Sequence, residues 1–127
     1  MRVGIFVSVF VFLAMCAASH RALAAEMTGD RLLAACSSAS HSTTREQCES
    51  YIAGVLDGID TLLTSLRLRH PGSDAYPSLY CIPQSTTSKD LVDATVDYLM
   101  AHPSTRHFGA SSEILLAVEQ AYPCRGT

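Results

Sequence analysis

Apolar residues in this chain fall into one nearly continuous run, interrupted by Ser8, followed by four stretches spaced three or four residues apart. The run is Val3 to Met15, preceded by Met1-Arg2 and closed by the small-residue stretch Arg21-Ala22-Leu23-Ala24-Ala25. It is short of the roughly 20 apolar residues that a membrane-spanning helix needs. A charge, an apolar segment and an A-x-A stretch, in that order, mark a secretory signal, with cleavage expected after Ala24 or Ala25. A lipidated Cys16 is disfavoured, because Met15 is a poor residue immediately before it. An Ala-rich, Arg-poor leader has a bacterial character, so the periplasm is the expected destination. Cleavage divides the chain into a signal, residues 1–25, and a single domain, residues 26–127.

The rest of the chain has helical periodicity and no useful strand-like alternation. A short helix is predicted from Asp30 to Cys36, with Leu32, Leu33 and Cys36 on one side. The polar stretch Ser37–Thr43 reads as a loop. Thr44-Arg45-Glu46-Gln47 has the form of a capping box, which satisfies two orphan backbone donors at a helix start. A second helix is therefore predicted over about 45 to 66, its apolar side made by Cys48, Tyr51, Ile52, Val55, Ile59, Leu62, Leu63 and Leu66. Gly54 and Gly58 lie one turn apart on it, each at a cost of roughly 1 kcal/mol against alanine. They predict the close approach of another helix.

A third helix should begin near Thr87 or Ser88 and bury Leu91, Val92, Thr95, Tyr98 and Leu99. It should stop at His102-Pro103, because a residue before proline is pushed out of the helical region. A fourth is predicted over about 104 to 121, burying Phe108, Ile114, Leu115, Val118 and Tyr122. The one long irregular stretch runs from Arg67 to Tyr80, with Pro71-Gly72 as a turn signal. Irregular segments of this length inside a compact domain are uncommon and are frequently binding elements. Arg67, Arg69, His70 and Tyr76 are its candidate partner-binding residues, since arginine and tyrosine are enriched at interface hot spots.

Cysteine usage sharpens the picture. Loss of the signal removes Cys16 and leaves Cys36, Cys48, Cys81 and Cys124. An even number in a short exported chain points to disulfides, and the absence of any C-x-x-C pair argues against structural zinc. Four cysteines allow three pairings. Cys36 ends the first helix and Cys48 opens the second; Cys81 precedes the third helix and Cys124 follows the fourth. Antiparallel hairpins would therefore join Cys36 to Cys48 and Cys81 to Cys124. A domain of about 100 residues buries only about 60–70% of its unfolded surface and benefits from such staples.

Charge and motif content narrow the function. The net charge of −3 becomes −5 when Arg2 and Arg21 leave with the signal while all twelve carboxylates stay. An acidic surface without tryptophan speaks against nucleic acid, which calls for a basic stripe. The histidines lack an H-E-x-x-H context and the serines a G-x-S-x-G elbow. The carboxylates are scattered over helix faces, where solvation is expected. His102 reads as a helix-end residue beside free carbonyls. No catalytic residue, metal site or cofactor is expected, and the chain reads as a binding protein, with no stable membrane anchor once the signal is removed.

The order of features resembles a known family. Cys48-x-x-Tyr51-Ile52-x-Gly54-Val55-x-Asp57-Gly58 is followed by Cys81-Ile82-Pro83, by Tyr98-Leu99-x-x-His102-Pro103, and by Ala121-Tyr122-Pro123-Cys124. Over residues 30 to 124 this is similar to the Rap/Tai immunity proteins, small periplasmic helical proteins related in fold to the acid-stress chaperone HdeA. The resemblance implies an all-α, four-helix, HdeA-like bundle stapled by two disulfides. It also implies a function: binding and blocking a peptidoglycan-cleaving amidase toxin of a type VI secretion system, with a homodimer as an implied form. The matched residues are mostly framework, so they speak to fold before function. Two other readings are an HdeA-like acid-stress chaperone and an envelope binding protein with another partner.

Overall fold

A computed structural model of the protein describes residues 26–124; the signal predicted over 1–25 lies outside the described residues. Four helices follow one another: α1, Gly29–Cys36; α2, Thr43–Arg69; α3, Ser88–Ala101; and α4, Ala110–Ala121. They enclose one core built on Leu32, Ile52, Leu56, Val92, Leu99, Ile114 and Val118. The most extensive packing is between α3 and α4, and α1 touches all three other helices. No helix among the described residues is long and apolar enough to cross a membrane.

Helix α1 starts where Thr28 Oγ1 accepts a hydrogen bond from Arg31 N. Helix α3 has a full capping box: Thr87 N donates to the Asp90 carboxylate at 2.8 Å, and Asp90 N donates to Thr87 Oγ1 at 3.3 Å. The Thr87 hydroxyl also donates to the Asp90 carboxylate at 2.7 Å, and this bond, followed by the one from Thr87 N, holds the Asp90 carboxyl below its ordinary value. The helix ends at His102, whose backbone N–H and ring Nδ1 both lie near Tyr98 O. Val92, Thr95, Tyr98 and Leu99 are buried as the periodicity predicts.

Helix α2 departs from prediction at both ends. Ser42, not Thr44, is the cap, accepting from Arg45 N at 3.1 Å. His41, in the left-handed region at φ 63°, turns the chain just before it. At the far end Leu66-Arg67-Leu68-Arg69 are good helix formers, and the helix continues until Pro71 follows. Its core contacts are Cys48, Ile52 and Leu56, one turn apart, while Leu62 is exposed.

Helix α4 starts six residues later than predicted, and Phe108 is exposed rather than buried. The cause is a backbone pairing between distant parts of the chain. Ala110 N donates to Met27 O at 2.7 Å, Gly29 N to Phe108 O at 3.1 Å and Asp30 N to Arg106 O at 2.9 Å, around an isolated antiparallel bridge of Thr28 with Gly109. The Arg106 side chain donates to the Leu99 and Met100 carbonyls at the end of α3. Residues 103–109 are thus committed to crossing contacts and fold as turns.

Two expectations about side chains also change. A Cβ on Gly54 or Gly58 would meet nothing within 4 Å, so neither admits a neighbouring helix. The close approach is at Gly29 instead, where a Cβ would lie 2.9 Å from Arg106 O and 3.1 Å from Leu99 Cδ2. Glu113, expected among the solvated carboxylates, is only 1% exposed, and its Oε2 accepts from the Thr105 hydroxyl at 3.1 Å. That bond ties the 103–109 turns to α4.

The disulfides are Cys36–Cys48 and Cys81–Cys124, the pairing that hairpin geometry predicts. Two disulfides are consistent with a location outside the cytoplasm.

Candidate partner-binding surface

The segment after α2 is held in shape by its own side chains. Arg67 and Arg69 belong to the last turn of α2 rather than to the irregular stretch. His70 closes the helix, its N–H shared between the Leu66 and Arg67 carbonyls. Pro71 and Gly72 then reverse the chain, with Gly72 at φ +82°, where glycine carries no steric penalty. Arg67 reaches across the reversal: Nε donates to Tyr76 O at 2.8 Å and Nη2 to Ser78 Oγ at 3.2 Å. The Tyr76 ring lies 5.7 Å from that of His70, tilted by 37°.

Tyr80 anchors the other end. It is buried, and its phenol oxygen lies 3.2 Å from Leu56 O and 3.1 Å from Asp60 Oδ1, so one proton is shared between two acceptors. Burial, and then the Asp60 carboxylate, raise the phenol far above its ordinary range. Asp60 is therefore engaged by Tyr80 rather than merely solvated. One residue on, Cys81 is fixed to Cys124 and donates its N–H to Tyr122 O at 2.8 Å.

Of the four candidate residues, Arg67, His70 and Tyr76 are brought together and Arg69 stands apart. Arg67 is half-buried and committed to its own chain, so it braces the segment. Arg69 and His70 are exposed and Tyr76 is half-buried. Leu68, 77% exposed, and Leu79 add apolar surface to the same region of sequence.

A second surface feature went unread in the sequence. Gly54, Val55, Gly58, Ile59 and Leu62 of α2 face Ser111, Ser112 and Leu115 of α4 across a shallow open groove of mainly apolar character. The glycines form one wall of it, which is why a Cβ there meets nothing. The signal was present as Gly54-x-x-x-Gly58 but has the same form for an open groove as for a tight helix crossing.

Among the described residues no cluster of histidine, cysteine, aspartate or glutamate is arranged to hold a metal ion. In comparison with known proteins, the family model described as Rap1a immunity proteins matches residues 28–124. No curated protein and no solved structure matches the chain.

Proposed function

The chain belongs to the family of Rap1a immunity proteins, and from that premise we propose that it blocks a peptidoglycan-cleaving amidase toxin of a type VI secretion system in the periplasm. Immunity proteins bind a cognate toxin protein, and the chain is not an enzyme. Residues 1 to about 25 serve as its export signal in this reading. The observation that carries it is the extent of the family match, which takes in the four helices and both disulfides of the described residues.

The recognition surface in this proposal is the end of α2 and the turn after it, with Arg69, His70 and Tyr76 as contacts and Arg67 as their brace. A segment whose ends are held by Arg67, by Tyr80 and by a disulfide loses little freedom on entering a cleft. Arginine and tyrosine side chains displayed on such a support suit a hot spot, where a few residues carry most of the affinity.

The test is stoichiometric inhibition of the amidase by the exported protein, followed by single alanine substitutions. Arg69→Ala and Tyr76→Ala are expected to cost roughly 2 kcal/mol of binding each at an unchanged melting midpoint. Arg67→Ala should lower both affinity and midpoint, because it also releases Tyr76 and Ser78. If all three bind like the parent, recognition lies elsewhere, and the groove between α2 and α4 is the next surface to substitute.

A further inference from the structure

The two disulfides differ sharply in their access to solvent. Cys36 and Cys48 are 0% and 1% exposed and form part of the core beside Leu32 and Ile52, whereas Cys81 and Cys124 are both exposed. The Arg45 guanidinium donates to Cys36 O and so ties the start of α2 to the end of α1 beside the buried pair. Thiol–disulfide exchange requires a thiolate to reach one of the two sulfurs, and access governs which bond is attacked. A reagent in solvent can reach Cys81–Cys124 in the folded protein. It can reach Cys36–Cys48 only after α1 and α2 part.

We propose that Cys81–Cys124 is a site of thiol–disulfide exchange in the native fold, its co-reactant a dithiol, while Cys36–Cys48 remains closed. In the first step a thiolate of the dithiol attacks one sulfur, forming a mixed disulfide and releasing the other cysteine as a thiolate that takes up a proton. In the second step the remaining thiol of the reagent displaces the second cysteine. The protein gains two electrons and two protons, and the dithiol becomes a disulfide.

The surroundings of this bond keep their shape without it. Cys81 N still donates to Tyr122 O, and the buried Tyr80 still holds Leu56 and Asp60. Tyr122 N donates to Val118 O, which closes α4 ahead of Cys124. The opened form therefore retains its four helices and loses the clasp between the entry to α3 and the exit from α4. Exchange is reversible, so the clasp works as a redox-sensitive fastener of the frame that carries the turn after α2. The chemistry holds whether or not the toxin is an amidase.

The experiment uses the exported protein at neutral pH with graded dithiothreitol. Free thiols are trapped with iodoacetamide and mapped by mass spectrometry while helix content is followed by circular dichroism. Cys81 and Cys124 should be alkylated together at least about tenfold faster than Cys36 and Cys48, with the helical signal retained. The double substitution Cys81→Ser/Cys124→Ser should abolish the fast phase and keep the helical signal. Opening of both pairs at one rate, earlier labelling of Cys36 and Cys48, or loss of helix in step with the first alkylation would each overturn the proposal.

Discussion

Replacing Cys36 and Cys48 together with alanine is expected to lower the unfolding free energy by about 3–5 kcal/mol. Two effects add. Closing a loop over a sequence separation of 12 removes unfolded-state entropy worth about 3 kcal/mol at 25 °C in the chain-entropy model. In addition, both sulfurs are buried in the core, so the substitution deletes packed atoms against Leu32 and Ile52 and leaves a void. For a domain of this size each kcal/mol moves the melting midpoint by about 4–8 °C, so the effect is readable by heat or by denaturant. A loss under about 1 kcal/mol would mean that the α1–α2 hairpin forms equally well without its staple.

Gly29→Ala should cost about 2–3 kcal/mol, toward the upper end of what overpacking a core causes. The new methyl group would meet the Arg106 carbonyl and Cα, which are backbone, and the Leu99 side chain. Backbone cannot step aside as a rotamer can, and moving it strains the pairing of residues 27–30 with 106–110. The control is Gly54→Ala on the open face of α2, which should raise stability by up to about 1 kcal/mol through helix propensity alone. Chemical denaturation of the two variants beside the parent should therefore show shifts of opposite sign. Shifts of the same sign would mean that the close contact is not where the fold puts it.

Features decided by near neighbours in the chain were the legible ones. The start of α3 at Thr87-Ser88, the stop before Pro103 and the pairing of cysteines at adjacent helix ends all depend on short-range geometry, and all are found. Apart from the start of α2, where the cap is Ser42 and not Thr44, the misread features depend on partners far away in sequence. Nothing near Gly29 announces that Arg106 will lie against it, and nothing near Phe108 announces that residues 106–110 will pair with 27–30 instead of entering a helix. Gly54 and Gly58 have the spacing of a close crossing, yet spacing does not say whether a second helix is there. Glu113 is hydrogen-bonded and buried because the 103–109 turns fold over it, which its helical spacing could not reveal. At the end of α2 and in the turn after it, composition singles out Arg67, Arg69, His70 and Tyr76, but composition does not say whether a guanidinium serves a partner or its own chain. Arg67 serves its own.

Helix α2 is 27 residues long, yet the last of its residues packed on the core is Ile59. About 15 Å of helix, from Asp60 to Arg69, extends past the core. That extension is held chiefly by the returning chain, through Arg67 to Tyr76 and Ser78 and through Tyr80 to Leu56 and Asp60. The two halves hold each other, and they are therefore expected to open together and ahead of the helices of the core. Under deuterium exchange the amides of 60–69 should take up label earlier than those of 46–56. Tyr80→Phe, which removes only the phenol's hydrogen bonds, should accelerate 60–69 and leave 46–56 at the rate set by global unfolding.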